Sequence, residues 1–250
     1  PSFTLVEGDI RDQEGVDAAM ASFKPQAIVH LAAMAGVRPS IEHPHLYNDV
    51  NINGTTVILE SIRKHGVENF VFGSSSSVYG SRETAPFSED DILSRPISPY
   101  AATKLAGEQL CYTYHHLYGI DVTVFRYFTV YGPRQRPDLA IHKFAKLIEQ
   151  NKPIPVYGDG TMMRDFTYID DIVKGIVSVM AVPPDPDPAW NGERPDPGSS
   201  YARYRIFNIG NNRPVNLLEF IEVLEKALGV KAEKEFLDLQ RGPDVLDPDR

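Results

Sequence analysis

The stretch Phe70-Val71-Phe72-Gly73-Ser74-Ser75-Ser76-Ser77-Val78-Tyr79-Gly80 reads as an apolar strand that carries a run of serine hydroxyls at its carboxyl end. Further along, Ser98-Pro99-Tyr100-Ala101-Ala102-Thr103-Lys104 reads as a helix start, because serine caps a helix and proline suits its first turn. Tyr100 and Lys104 are four positions apart and share one face of that helix. A lysine so placed favours phenolate over phenol and draws a tyrosine pKa down from about 10. Tyr100 is therefore a candidate general base. Singly, each piece has an ordinary reading: Y-x-x-x-K occurs by chance, and a serine run is usually a polar turn. Together they describe one site at the end of a strand, where open parallel sheets bind their ligands.

Outward from that site, strands and helices alternate. The pattern predicts a strand over Phe3–Val6, a helix over Gln13–Phe23 and a short buried strand over Ala27–His30. A long helix follows from Tyr47 to His65, closed by Gly66, and then the strand Phe70–Phe72. Residues 81–96 read as a Pro- and Ser-rich loop; the Tyr100 helix runs to about Tyr118, and Val122–Tyr127 is a strand. Repeated β-α-β units imply an α/β fold with a Rossmann-like, doubly wound parallel sheet. Beyond Tyr131 the rhythm changes: helix Leu139–Glu149, strand Ile154–Tyr157, helix Asp170–Met180, strand Arg205–Asn208 and an amphipathic helix Asn216–Leu228. Its stripe is Leu217, Phe220, Ile221, Leu224 and Leu228. Between them, 183–200 is a Pro- and Asp-rich excursion read as an exposed loop, which Trp190 either pins to the body or leaves mobile. The expected division is 1–132 for the main domain and 133–250 for a smaller lobe, with 166–180 and 205–210 returning to the main domain.

At 250 residues the chain can bury one sizeable core and a small second lobe. No apolar run approaches a membrane span, and a net charge of −9 argues against a nucleic-acid footprint. The single cysteine, Cys111, precludes an internal disulfide, fits a reducing, cytoplasmic setting, and is expected to pack as a small hydrophobe. The chain begins Pro1-Ser2-Phe3 without an initiator methionine or a secretory pattern, and reads as a piece of a longer protein.

The motifs His30-Leu31-Ala32-Ala33, Asn51-Ile52-Asn53-Gly54-Thr55, SSSSVYG, SPYAATK, Arg126 to Pro133 (RYFTVYGP) and Arg164 to Asp171 (RDFTYIDD) resemble, in order and spacing, those of the extended short-chain dehydrogenase/reductases. These are NAD-dependent nucleotide-sugar epimerases and dehydratases, and the resemblance is strongest to the UDP-glucuronate 4-epimerase branch. It implies Tyr100, Lys104 and Ser75 as catalytic residues. It also implies Asp9, Ile10, Leu31, Ala32, Ala33, Asn51 and Phe128, with Tyr100 and Lys104, as the NAD contacts. For a UDP-sugar it implies Thr129, Arg164 and Asp165, with Arg241 as a second phosphate contact, and it implies no metal. Related chains commonly dimerise through the Tyr100 helix and its predecessor; Leu105, Leu110 and Tyr114 suit such a face, or simply the core. Outside that context Asn51 reads as a backbone bridge, Asp9 as a turn residue and Arg164 as a surface salt-bridge residue.

Two departures stand out. The family opens with a strand, a G-x-x-G-x-x-G turn and a helix whose amides cradle the pyrophosphate, and this chain carries no such turn. The family's last helical stretch is absent as well. On the reaction, dehydratases and decarboxylases of this family typically carry Asp or Glu in the two positions before Val-Tyr-Gly, which here are Ser76 and Ser77. Hydroxyls cannot do that proton work, so 4-epimerisation is expected. A uronate carboxylate would find Arg136, Arg38, Thr129, Ser76 and Ser77 as partners, while Arg136 reads equally well as a loop arginine paired with Asp138. The same serines suit a neutral hexose, so UDP-glucose/galactose epimerisation stays open. So do dehydration, decarboxylation and a non-catalytic binding role.

Overall fold

A computed structural model describes residues 3–82 and 86–238. The chain forms two compact units, one reaching Tyr127 and taking up Lys174–Asn208, the other formed by Phe128–Val173 and the chain from Ile209. The first contains α1 (Gln13–Phe23), β1 (Ala27–His30), α2 (Val37–Glu42), α3 (Pro44–Asn48), α4 (Gly54–His65), β2 (Asn69–Ser75), α5 (Pro99–Tyr118) and β3 (Asp121–Tyr127). The second begins with β4 (Thr129–Tyr131), α6 (Ala140–Glu149), β5 (Ile154–Tyr157) and β6 (Met163–Tyr168). Helix α7 (Ile169–Ala181) crosses the boundary, and β7 (Tyr204–Ile209) returns to the first unit. The second unit closes with β8 (Pro214–Asn216), α8 (Leu217–Leu228) and β9 (Lys234–Leu237).

The main sheet has the order β1-β2-β3-β7, with β1, β2 and β3 parallel. Its register sets Ser74 beside Arg126 and Ser75 beside Tyr127. Buried on both faces except at Ser75, Asp121 and Tyr127, β2 and β3 have apolar centres, Phe70 to Phe72 and Val122 to Phe125 with Thr123 between, as parallel strands do. The core gathers Phe70, Phe72, Val122 and Val124 of the sheet with Ile58, Leu59 and Ile62 of α4 and Cys111 of α5. Gly107 lets α5 come close: a Cβ there would lie 2.4 Å from the Phe72 ring. In the second unit β4 runs parallel to β6, β6 antiparallel to β8, and β5 parallel to β9. The stripe of α8 packs on Phe144, Ile148, Ile154 and Val156.

Two expectations change. Phe3–Val6 forms no strand; the segment is open to solvent and unpaired by any described strand. The helix over 47–65 is three pieces, because Asp49–Asn53 winds as a π-turn between α3 and α4. The 183–200 excursion is the expected loop, exposed or half-buried over most of its length and tied down at its end. Its Gly198, Ser199 and Ser200 are buried, Ser199 Oγ bonds Asp187 and Asp196, and the Trp190 ring lies against Tyr201.

Candidate active site

Local rules place the first functional side chains. Ser98 Oγ accepts the Ala101 amide at 3.1 Å, Pro99 opens α5, and Gly119 closes it in the left-handed region, its N–H on His115 O. Tyr100 therefore sits in the first turn, and Lys104 one turn deeper. Lys104 is buried, and its ammonium donates to Gly73 O at 2.7 Å from beside the Phe72 ring. Burial pulls its pKa down to about 8.

Ser75 ends β2 and caps a short 3₁₀ turn, Ser76–Tyr79. Its Oγ accepts the Ser77 amide at 3.2 Å and lies 3.0 Å from Ser77 Oγ. With its lone pairs used this way, the Ser75 hydroxyl has its own proton to donate.

Asn51 lies in the π-turn, a feature frequent at functional sites. Its amide bridges: Oδ1 accepts Met34 N at 2.8 Å, while Nδ2 donates to Met34 O and to Thr103 Oγ1 at 3.0 and 2.9 Å. This residue ties the segment after β1 to the helix of Tyr100. His30, at the end of β1, bonds Thr55 Oγ1 at 3.0 Å. Thr55 gives its own proton to Asn51 O, so His30 Nε2 carries the donor hydrogen. Burial, and then the Lys104 charge, push the His30 pKa down to about 4. Leu31, Ala32 and Ala33 follow directly, with Leu31 56% exposed.

Asp9 accepts Arg11 on both carboxylate oxygens, and Arg11 continues to Asp49. Those bonds hold the Asp9 pKa at about 2. Ile10 packs against Gly54. Arg38 lies on α2.

In the second unit, Phe128 N–H bonds Ile209 O at 3.3 Å, and Thr129 pairs in register with Phe166. Asp165 accepts the Asn211 amide at 2.8 Å, and it flanks Gly210 together with Phe128. Arg164 is exposed on β6, donating to Met163 O. Arg136 pairs with Asp138 through two bonds of 3.0 and 2.7 Å, the loop pairing its sequence context also allowed. Arg241 lies outside the described residues.

Sequence reading missed two features. Tyr47, fully buried, sets its ring edge-on to Tyr100 at 6.2 Å and donates its hydroxyl to Ala35 O. Beneath the serine run, Glu108 and Arg126 form a buried ion pair. A charged residue inside the strand VTVFRY was the available signal, since a buried charge needs a partner. Leu110 and Tyr114, candidates for a dimer face, pack against the chain's own core.

This is a parallel α/β sheet whose strand end carries serines beside a Tyr-x-x-x-Lys helix. Residues 2–210 match the profile described as "NAD dependent epimerase/dehydratase family", and the chain belongs to that family. It is an NAD-dependent enzyme of the sugar-nucleotide epimerase kind, with NAD as cofactor. The UDP-glucuronate 4-epimerase of Thermodesulfobacterium geofontis is 42% identical over 241 residues, which cover 96% of this chain and 68% of that protein. A UDP-glucuronic acid 4-epimerase from Bacillus cereus, crystallised with UDP-glucuronic acid and NAD, superposes with a TM-score of 0.80 at 35% identity, over 97% of this chain and 71% of the other. A UDP-glucose 4-epimerase from Thermotoga maritima with UDP-glucose gives 0.83 at 29% identity, over 97% and 74%. No helix among the described residues is long and apolar enough to cross a membrane.

Proposed function

We propose that this chain is the greater part of a UDP-glucuronate 4-epimerase, interconverting UDP-glucuronate and UDP-galacturonate by transient oxidation at C4. The observation that carries the reading is the serine pair Ser76–Ser77 before Val-Tyr-Gly, beside Tyr100 and Lys104, with no carboxylic acid at either position. The donor set fits the nicotinamide half of NAD: a buried ammonium, the Tyr100 phenol and the apolar Leu31, Ala32 and Ala33 beyond β1. Phe128 is assigned to the same half. Asn51 serves this half by fixing the backbone at Met34. Asp9 and Ile10 are assigned to the adenine end. A G-x-x-G-x-x-G cradle for the pyrophosphate is not among these residues.

When bound beside Tyr100 and Lys104, NAD would supply the hydride-accepting and hydride-donating chemistry at C4. Tyr100, ionised, takes the O4 proton and later gives it back. Lys104 holds the phenolate by its charge, and Ser75, keeping its proton, donates a hydrogen bond to the sugar O4. Without an acid at position 76 or 77, neither water nor carbon dioxide is expelled. Arg164, Asp165, Thr129 and Arg241 are assigned to the nucleotide and sugar. Arg136 and Arg38, with Ser76 and Ser77, are assigned to the uronate carboxylate. A cytoplasmic homodimer completes the reading.

The test is incubation of the NAD-loaded enzyme with UDP-glucuronate and, separately, UDP-glucose, reading C4 configuration by NMR. Inversion of the uronate alone is expected. Inversion of the neutral sugar alone refutes the carboxylate assignment, and a 4-keto-6-deoxy sugar or carbon dioxide refutes the epimerase reading. Tyr100→Phe should lower the rate by roughly 10²–10⁴-fold.

A further inference from the structure

The Glu108–Arg126 pair is sunk almost completely, the two side chains being 1% and 2% exposed. Arg126 Nε and Nη2 meet Glu108 Oε1 and Oε2 at 3.1 and 2.8 Å, a two-pronged pairing. Ser74 Oγ adds a 2.5 Å bond to Oε1. On the other side, Arg126 Nη1 donates to Tyr79 Oη at 3.0 Å, its guanidinium also lies 5.0 Å from the Tyr79 ring centre, and Tyr79 Oη bonds Asn208 Oδ1 at 2.8 Å. Stability does not account for such a pair. Desolvation offsets most of its Coulomb attraction, and apolar residues of similar volume generally hold a core as well or better.

Its position suggests what it does. Glu108 lies one helical turn beyond Lys104 and two beyond Tyr100, on the same face of α5. Ser74 and Tyr79 bracket Ser75 and the turn that follows it. The groups around Lys104 are few. Tyr100, Glu108 and Cys111 come from its own helix, the Cys111 thiol kept neutral by burial. β1 contributes His30, also neutral, and β2 the Gly73 carbonyl and the Phe72 ring. β3 contributes Arg126, through Glu108. Glu108 is thus the anion that faces Lys104, and Arg126 holds both of its carboxylate oxygens.

We propose, on the reading of Tyr100 as the proton-transfer group, that Glu108 and Arg126 are positioning residues whose charge balance keeps Lys104 cationic beside Tyr100 while their hydrogen bonds fix the strand end that carries Ser75. Glu108→Gln leaves the Arg126 charge uncompensated and disfavours the Lys104 cation. Arg126→Gln bares the Glu108 carboxylate and favours it. The two variants therefore act in opposite senses, which a purely structural pair would not do.

The experiment is a pH titration of the Lys104 side chain in the ¹³Cε-lysine-labelled chain, its resonance assigned with Lys104→Met. We expect the midpoint to fall by about one pH unit in Glu108→Gln and to rise by about one in Arg126→Gln. Unmoved midpoints, or shifts in the same direction, overturn the proposal. Should either variant fail to fold, Ser74→Ala decides: it removes only one donor from Glu108, so the Lys104 midpoint must rise, and an unchanged midpoint overturns the proposal. The measurement needs neither substrate nor turnover. Opposed shifts in an enzyme inert toward UDP-glucuronate would sink the substrate reading and leave this inference standing.

Discussion

The polar groups packed along the Tyr100 helix and the residues assigned to substrate in the second unit are handled in opposite ways. Along that helix they are buried and hydrogen-bonded: Lys104 on Gly73 O, Asn51 on Met34 and Thr103, Glu108 on Arg126 and Ser74. In the second unit, the residues assigned to substrate lie near the surface. Arg136 pairs with a neighbour two positions away, and Arg164 bonds the preceding residue's carbonyl. Buried, saturated groups hold one geometry, which proton transfer over hydrogen-bond distance requires. Surface arginines keep rotameric freedom and reorganise around an arriving anion. On the proposed assignments, the contrast separates groups held ready for proton transfer from contacts that a ligand can complete.

The largest test of this contrast sets one arginine against another. Arg126→Ala leaves the Glu108 carboxylate buried and unpaired, and should cost roughly 3–5 kcal/mol in urea denaturation. Arg136→Ala removes a pair whose side chains are 46% and 62% exposed, and should stay within about 0.5 kcal/mol. Its effect should appear instead as a raised KM for UDP-glucuronate. Equal stability losses would dissolve the distinction between the units.

A second test uses pH. Burial, and then the Lys104 charge, hold the folded His30 pKa at about 4, below the ordinary 6.5 of a free imidazole. The unfolded chain therefore binds a proton as pH falls through 6.5, while the folded chain resists until about 4. Stability is complete above 6.5 and is lost across that window, by about 3 kcal/mol at pH 4. His30→Gln keeps a donor for Thr55 and has no such proton to bind. It should flatten the decline between pH 7 and 4, followed by chemical denaturation at each pH. A decline of the same steepness would assign acid sensitivity elsewhere.

How much of this was legible depends on the range of the interaction that decides each feature. Boundaries of α1, β1 and β5 follow from local periodicity, and those of α5 from Ser98, Pro99 and Gly119. The π-turn at Asp49–Asn53 leaves the apolar spacing almost unchanged, so Tyr47–His65 reads as one helix although Asn51 owes its place to the break. Strand β6, MRDFTY, mixes charged and aromatic residues on one face (Arg164, Phe166, Tyr168), and β9 is four residues that exist as a strand through pairing with β5, far away in the chain. Phe3–Val6 shows the converse, since β-propensity without a partner gives no strand. At the candidate site, Tyr100, Lys104 and Ser75 are proposed from residue type and spacing. Tyr47, Glu108 and Arg126 act through tertiary contacts, and Arg126 alone left a trace as a charge inside an apolar strand.

The smallest test asks whether the two units differ only in how they treat charge. Each contains a helix capped by a side chain: Ser98 Oγ receives the Ala101 amide at the start of α5, and Asn216 Oδ1 receives the Leu218 amide at 2.8 Å at the start of α8. A cap satisfies one otherwise unpaired helix amide wherever it lies, so Ser98→Ala and Asn216→Ala should each cost about 1 kcal/mol in urea denaturation. Their consequences should then diverge. Loosening the first turn of α5 frees Tyr100, so Ser98→Ala should also lower kcat with KM unchanged, whereas Asn216→Ala, at the head of a helix with no assigned proton-transfer group, should leave kcat alone. A matching fall in kcat for both would mean that turnover tracks general stability rather than the geometry of the Tyr100 turn.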